Sequence, residues 1–212
     1  NVGGDFSSQL AALETGAATL VRIGERYGAN DLALACKQIQ AASEAEIRSI
    51  FSEIPDGVYE FEDFVDDDGI ELDRQLRVHA RLSVEGDSVE VDFSGSDSQA
   101  KGPVNCTLNM TRSAVICGAL MSIGREVPAN AGCYRPISVV APEGSIVNAN
   151  FPAPVANRMA VGHRVVNAVM GAFAKALPDR VPASYYGVSY AYALNAINAD
   201  GSRQVYFDLE CG

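Results

Sequence analysis

Positive charge is scarce in this chain. Its 212 residues carry 16 Lys and Arg against 27 Asp and Glu, a formal net charge of −11. A surface of that sign repels phosphate backbones, so nucleic acid is not expected as a partner. Long apolar runs are missing too. None approaches the roughly 18 residues a membrane-spanning helix needs, so no membrane partner is expected. The first residues, NVGGDFSSQL, have neither the basic start nor the apolar centre of a signal peptide. No Met opens the chain, and it stops at Glu210-Cys211-Gly212, directly after a strand-like run. The expectation is a piece of a longer polypeptide. The cysteines are five, Cys36, Cys106, Cys117, Cys133 and Cys211, with no CxxC pair. An odd, scattered set argues against a disulfide framework and against a zinc site, and it fits a reducing cytoplasm.

The common catalytic signatures are absent as well: no GxGxxG, no Walker motif, no GxSxG and no HExxH. There are two histidines, His79 and His163. Metal sites usually take three or four ligands, and these two, with no spaced carboxylate partner, make no complete site. The acidic run Asp66-Asp67-Asp68-Gly69 lacks the twelve-residue pattern of a calcium loop and reads as a solvated turn.

What is present is strong patterning. Leu10, Leu13, Ala17, Leu20 and Gly24 fall at helical spacing, and so do Leu32, Cys36, Ile39, Ile47, Ile50 and Ile54. Gly28 and Asn30 between them suit a stop and an N-cap, which predicts a helical hairpin over 1–54, packed antiparallel. From Pro55-Asp56-Gly57 the period changes to two. Leu76, Val78, Ala80, Leu82 and Val84 alternate with Arg77, His79, Arg81 and Ser83; Val89, Val91 and Phe93 alternate with Glu90 and Asp92. That is an antiparallel meander with one face buried, and it puts His79 on the wet face. Helices are predicted over 110–123 and 157–177. Tyr186, Val188, Tyr190, Tyr192 and Leu194 share one face of a late strand whose other face is thin; Asn198-Ala199-Asp200-Gly201 turns it into a hairpin. The fold class is therefore α+β, antiparallel sheet packed with helices, with 55–212 as its core section.

The segment Val127–Asn150 is different. Pro128, Gly132, Pro136, Pro142 and Gly144 interrupt it at intervals no helix tolerates, and Asn130, Cys133, Arg135 and Asn148 sit among them. This is either a well-made turn or shaped backbone presenting polar side chains. Cys106 and Cys133 lie in such loops; a cysteine nucleophile needs a base or positive neighbour, and a small buried filler is the alternative. Arg112, Arg135 and Arg158 could each clamp a carboxylate or phosphate, or hold a loop. His163, near the start of a helix, could act as acid, base or ligand, or be structural.

Several of these pieces, in this order and spacing, resemble the hydantoinase B/oxoprolinase family. They are Val91-Asp92-Phe93-Ser94-Gly95-Ser96, Gly102-Pro103-Val104-Asn105, Asn130-Ala131-Gly132-Cys133-Tyr134-Arg135-Pro136, Ala141-Pro142-Glu143-Gly144-Ser145, and Gly162-His163-Arg164-Val165-Val166-Asn167. The resemblance implies the B-type subunit of an ATP-dependent cyclic-amide hydrolase of hydantoin or 5-oxoproline type. Ketone carboxylase subunits are relatives, and a non-catalytic docking domain is a third reading. It further implies a hetero-oligomer in the cytoplasm whose A-type partner binds ATP and phosphorylates a small-molecule substrate. A divalent metal, where one is used, would be held outside this chain. Carried onto this sequence, it makes His163 and Arg135 catalytic candidates and Asn105, Asn130 and Arg158 substrate-binding candidates.

Overall fold

A computed structural model of the chain describes residues 2–185 and 189–211. The class is α+β, as the patterning predicts. The chain divides into two units: Asn1–Glu46 with Val127–Arg135, and Ile47–Glu126 with Pro136–Gly212.

The first unit contains α1 (Val2–Tyr27) and most of α2 (Ala29–Phe51), separated by a one-residue break at Gly28. Both predicted helices form, but the packing expected of a hairpin does not bury their apolar stripes. No residue of α1 is buried, and Leu10, Leu13, Leu20, Leu34 and Ile39 are all more than half exposed. Helical period reports which face is apolar, not that something covers it. The unit also holds α4 (Ala131–Tyr134), a single turn in the Pro/Gly segment.

The second unit is built on a four-stranded sheet in the order β1-β2-β3-β4: β1 (Gly57–Val65), β2 (Leu76–Glu85), β3 (Ser88–Asp92) and β4 (Ile137–Val140). The first three strands form the expected meander, Tyr59 facing Leu82 and Leu82 facing Val91. The fourth is a strand that the patterning does not predict. It pairs parallel to β3, Val91 opposite Val139, because the chain returns to the sheet through a long helical crossover rather than a hairpin.

The alternation in β2 is reproduced residue by residue. Leu76, Val78, Ala80, Leu82 and Val84 are buried, while their neighbours are partly exposed. Onto that face packs α5 (Arg158–Ala176), and against α5 lies α3 (Leu108–Ile123), which also touches β4. Thr107 caps α3 by accepting the N–H of Met110. The core joins Phe93, Val115, Ile146, Val165, Val169 and Phe173 to the end of α2, where Ile47, Ile50 and Phe51 are buried. Each such side chain contributes about 1.5–3 kcal/mol of apolar burial.

A separate antiparallel hairpin, β5 (Ser189–Ile197) and β6 (Arg203–Cys211), closes at Asn198, whose N–H donates to the Ser202 carbonyl. Of the strand predicted from Tyr186, residues 186–188 lie outside the described residues. From Tyr192 to Phe207 both faces are exposed, and no other layer covers them among the described residues. Among the described residues, no helix is long and apolar enough to cross a membrane.

Candidate functional site

In the second unit, the loop after β3 is laced to the segment after β4. The Cys106 N–H donates to Ile146 O, and the Ala149 N–H to Cys106 O. Asn105 is the staple of this loop. It is fully buried. Its Oδ1 accepts the Ala100 N–H at 2.7 Å, and its Nδ2 lies 2.9–3.0 Å from the carbonyls of Ala100, Gly102 and Pro154. Both amide hydrogens are thus engaged by backbone, and what Asn105 does is fix the loop against residues 154–157. The Asn157 N–H adds a bond to Pro103 O.

Asp68 holds the same loop from the other side, and here the solvated-turn reading fails. Its carboxylate is buried. It accepts the N–H groups of Glu71, Gly102 and Ile70 at 2.7–2.9 Å, and these bonds hold it down to about 2. The sequence gives no hint of this, because only the fold brings Gly102 to the turn.

Cys106 donates its thiol to Arg158 O at 3.2 Å, and burial pushes it up to about 12. It stays a thiol at neutral pH, which fits a filler rather than a nucleophile. Arg158 opens α5 with an exposed side chain. Asn105 and Arg158 are therefore brought to one place, linked through Cys106. His163 follows in the next turn, but five helical residues rotate it about 140° from Arg158, onto a different face.

His163 is half-buried, and its Nδ1 lies 3.1 Å from Tyr185 Oη. The rings meet edge-on, centroids 5.7 Å apart and planes at 89°. Burial, with the neighbouring Arg164 guanidinium second, lowers His163 from its ordinary value. Burial raises Tyr185. Beside the pair, Asp63 of β1 accepts from Arg164 and Asn167 of α5, each at 3.2 Å. Asn167 also reaches Tyr185 O at 3.4 Å, while its buried Oδ1 has no hydrogen-bond partner among the described residues. Sequence reading missed Tyr185, Asp63 and Asn167; a lone tyrosine in coil and an aspartate on a strand carry no spacing signal.

The other two candidates, Asn130 and Arg135, belong to the first unit. Asn130 caps α4: its Oδ1 accepts the Gly132 N–H at 2.8 Å and its Nδ2 donates to Ser43 Oγ at 2.7 Å. Arg135 forks onto α2, with Nη1 to Glu44 Oε2 at 2.7 Å and Nη2 to Gln40 Oε1 at 3.0 Å. Cys133 is buried and donates to Pro128 O. The Pro/Gly segment is thus shaped backbone, and Asn130 and Arg135 help hold its shape.

His79 also departs from expectation. Its side chain is only 15% exposed, and its buried Nδ1, lodged against Gly95, has no hydrogen-bond partner among the described residues. It borders a depression of about 350 Å³ lined also by Glu60, Glu62, Arg77 and Lys175; none of the five candidates lines it. Among the described residues, no group of three or more His, Cys, Asp or Glu could hold a metal ion.

The family profile described as hydantoinase B/oxoprolinase matches residues 1–212. A Pseudomonas protein that carries the name of a B-type D-/L-hydantoinase subunit is 33% identical over 192 residues, 86% of this chain and 32% of its own length. The crystal structure of the ATP-dependent caprolactamase from Pseudomonas jessenii superposes with a TM-score of 0.80 at 26% identity, covering 95% of this chain and 35% of that one. A nucleotide-free acetone carboxylase structure shares the fold, with a TM-score of 0.61 at 14% identity over 78% of this chain and 24% of that one. The chain spans about a third of the length of the hydantoinase and caprolactamase relatives.

Proposed function

The chain belongs to the hydantoinase B/oxoprolinase family, and from that premise we propose that it is part of the B-type subunit of an ATP-dependent cyclic-amide hydrolase. The observation that carries this reading is the family match along the whole chain, joined to 33% identity with a B-type hydantoinase subunit. Ring amides are poor electrophiles. Phosphorylating the amide oxygen supplies a leaving group and lowers the later barrier. This sequence has no Gly-rich phosphate cradle, so ATP is assigned to an A-type partner and any divalent metal to segments outside this chain. The complex is a hetero-oligomer of a reducing cytoplasm.

Within this chain the labour is divided. His163 hydrogen-bonds the reacting oxygen. Arg158, exposed at the start of α5, steers the anionic activated substrate. Asn105, Asn130 and Arg135 are positioning residues that keep the two loop segments in shape.

The test is the complete complex with its A-type partner, given ATP and a hydantoin, 5-oxoproline or a lactam, against ATP with a ketone and bicarbonate. Ring opening coupled to ATP cleavage is the expected result; carboxylation in its place overturns the hydrolase reading. In the same complex, His163→Gln should lower kcat and Arg158→Ala should mainly raise KM, with assembly unchanged. Lost assembly with turnover per assembled complex unchanged would mark the region as a docking surface instead.

A further inference from the structure

We propose that Tyr185 is a positioning residue for His163: its phenol O–H donates to Nδ1 and so fixes the imidazole proton on Nε2, leaving His163 a neutral hydrogen-bond donor. This rests on the reading above, in which His163 meets the reacting oxygen, and it specifies the form in which it does so.

The geometry comes first. Oη and Nδ1 stand 3.1 Å apart with the rings edge-on. Among the described residues, each atom's hydrogen bond is to the other. A bare imidazole nitrogen is a better acceptor than a phenol oxygen, so O–H···N is the favoured polarity. The reverse polarity would leave the phenol hydrogen without a partner among the described residues. Tyr185 is also held in place from behind, since Asn167 Nδ2 reaches its carbonyl and is itself tied to Asp63. Asp63 further accepts from Arg164, so the same cluster sets a guanidinium beside the imidazole.

That placement agrees with the electrostatics. Burial and the Arg164 charge both act against an imidazolium, and a raised phenol keeps its proton. A neutral imidazole with hydrogen on Nε2 cannot take a proton there, but it can stabilise charge growing on a substrate oxygen. His163 is then a preorganised donor, and the lone pair a general base would need is already occupied at Nδ1.

The test is ¹⁵N NMR of the native full-length protein in its complex, with histidine selectively labelled and His163 identified by subtracting the His163→Gln spectrum. The expected spectrum at pH 7.5 shows Nε2 protonated and Nδ1 bare and hydrogen-bonded. In Tyr185→Phe the Nδ1 signal should shift toward that of a solvated imidazole, with roughly a tenfold fall in kcat and KM moved less than about threefold. A wild-type ring protonated on Nδ1 overturns the proposal, as does an Nδ1 signal that Tyr185→Phe leaves unmoved. Should that variant fail to assemble, the wild-type tautomer decides alone. A complex inactive on every cyclic amide would sink the functional reading while leaving the tautomer as found.

Discussion

Asp68 accepts the backbone N–H of Gly102 at 2.9 Å, joining a turn after β1 to the loop that carries Asn105. The carboxylate also takes the N–H groups of Glu71 and Ile70, and all three bonds favour its charged form. Its folded-state value, about 2, lies below the ordinary 3.8. The stability it contributes is therefore fully present above the unfolded value and is lost as pH falls through the folded one. Denaturation of the wild type and Asp68→Asn, compared at pH 6 and pH 2.5, should show a clear gap at the higher pH that narrows at the lower. A gap independent of pH would mean the charge is not what holds the loop.

Gly102 is the other half of that contact. A Cβ there would stand 1.7 Å from the Asp68 carbonyl oxygen, and backbone cannot swing aside as a side-chain tip can. Gly102→Ala should cost about 3 kcal/mol, the upper part of the range for overpacking, read as a lower denaturant midpoint. A loss under about 0.5 kcal/mol, the size of an ordinary surface change, would show that the two loops are free to separate.

How much of this was legible beforehand differs from element to element. Strand β2 and helix α5 were readable because burial imposes a period, two for Leu76–Val84 and about 3.6 for Val166–Leu177. Strand β4 was not. Its four residues sit between Pro136 and Pro142, too few to show a period, and its partner Val89–Asp92 lies on the far side of a helix. The stripe on α1 was real, but whether anything covers it is a tertiary fact. Asn130 and Arg135 stand out because Pro and Gly mark shaped backbone, and Asn105 through the family resemblance; what each one holds could not be seen until its partners were placed. Tyr185 reaches His163 across 22 residues of chain, a distance no local pattern spans.

The two loop cysteines should be inert. Cys106 is buried with its thiol pushed up to about 12, and Cys133 is buried with Sγ on Pro128 O. Alkylation needs a thiolate and a path to it. Iodoacetamide at pH 8 followed by mass spectrometry should leave both unmodified in the native protein and label both after denaturation. Fast labelling of native Cys106 would contradict its burial and reopen a nucleophilic role.

Arg135 separates structure from chemistry in the first unit. Its pair with Glu44 is partly exposed, 47% and 24%, and such pairs contribute up to about 1 kcal/mol. As a positioning residue, Arg135→Ala should destabilise by no more than that and reduce turnover of the complex by less than about tenfold, with Arg135→Lys intermediate. A turnover loss beyond about a hundredfold at unchanged stability would place its guanidinium on substrate, since about 1 kcal/mol accounts for only a fivefold change.

The last prediction concerns proton affinity in the second unit. His163 lies below its ordinary 6.5, with burial the larger cause and the Arg164 charge the smaller. A depressed value means the unfolded chain binds the proton more readily. Stability from the neutral ring is thus complete above pH 6.5 and drains away as pH falls through the lower folded value. Following the C2 proton by NMR should give a midpoint under 6.5 in the native protein. Arg164→Gln removes the positive neighbour and also frees Asp63, which accepts from Arg164 at 3.2 Å; both changes favour imidazolium. The midpoint should rise but remain short of a solvated histidine, because burial is untouched. A wild-type midpoint at or above 6.5 would remove the case for a neutral ring at physiological pH, and with it the donor role assigned to Nε2.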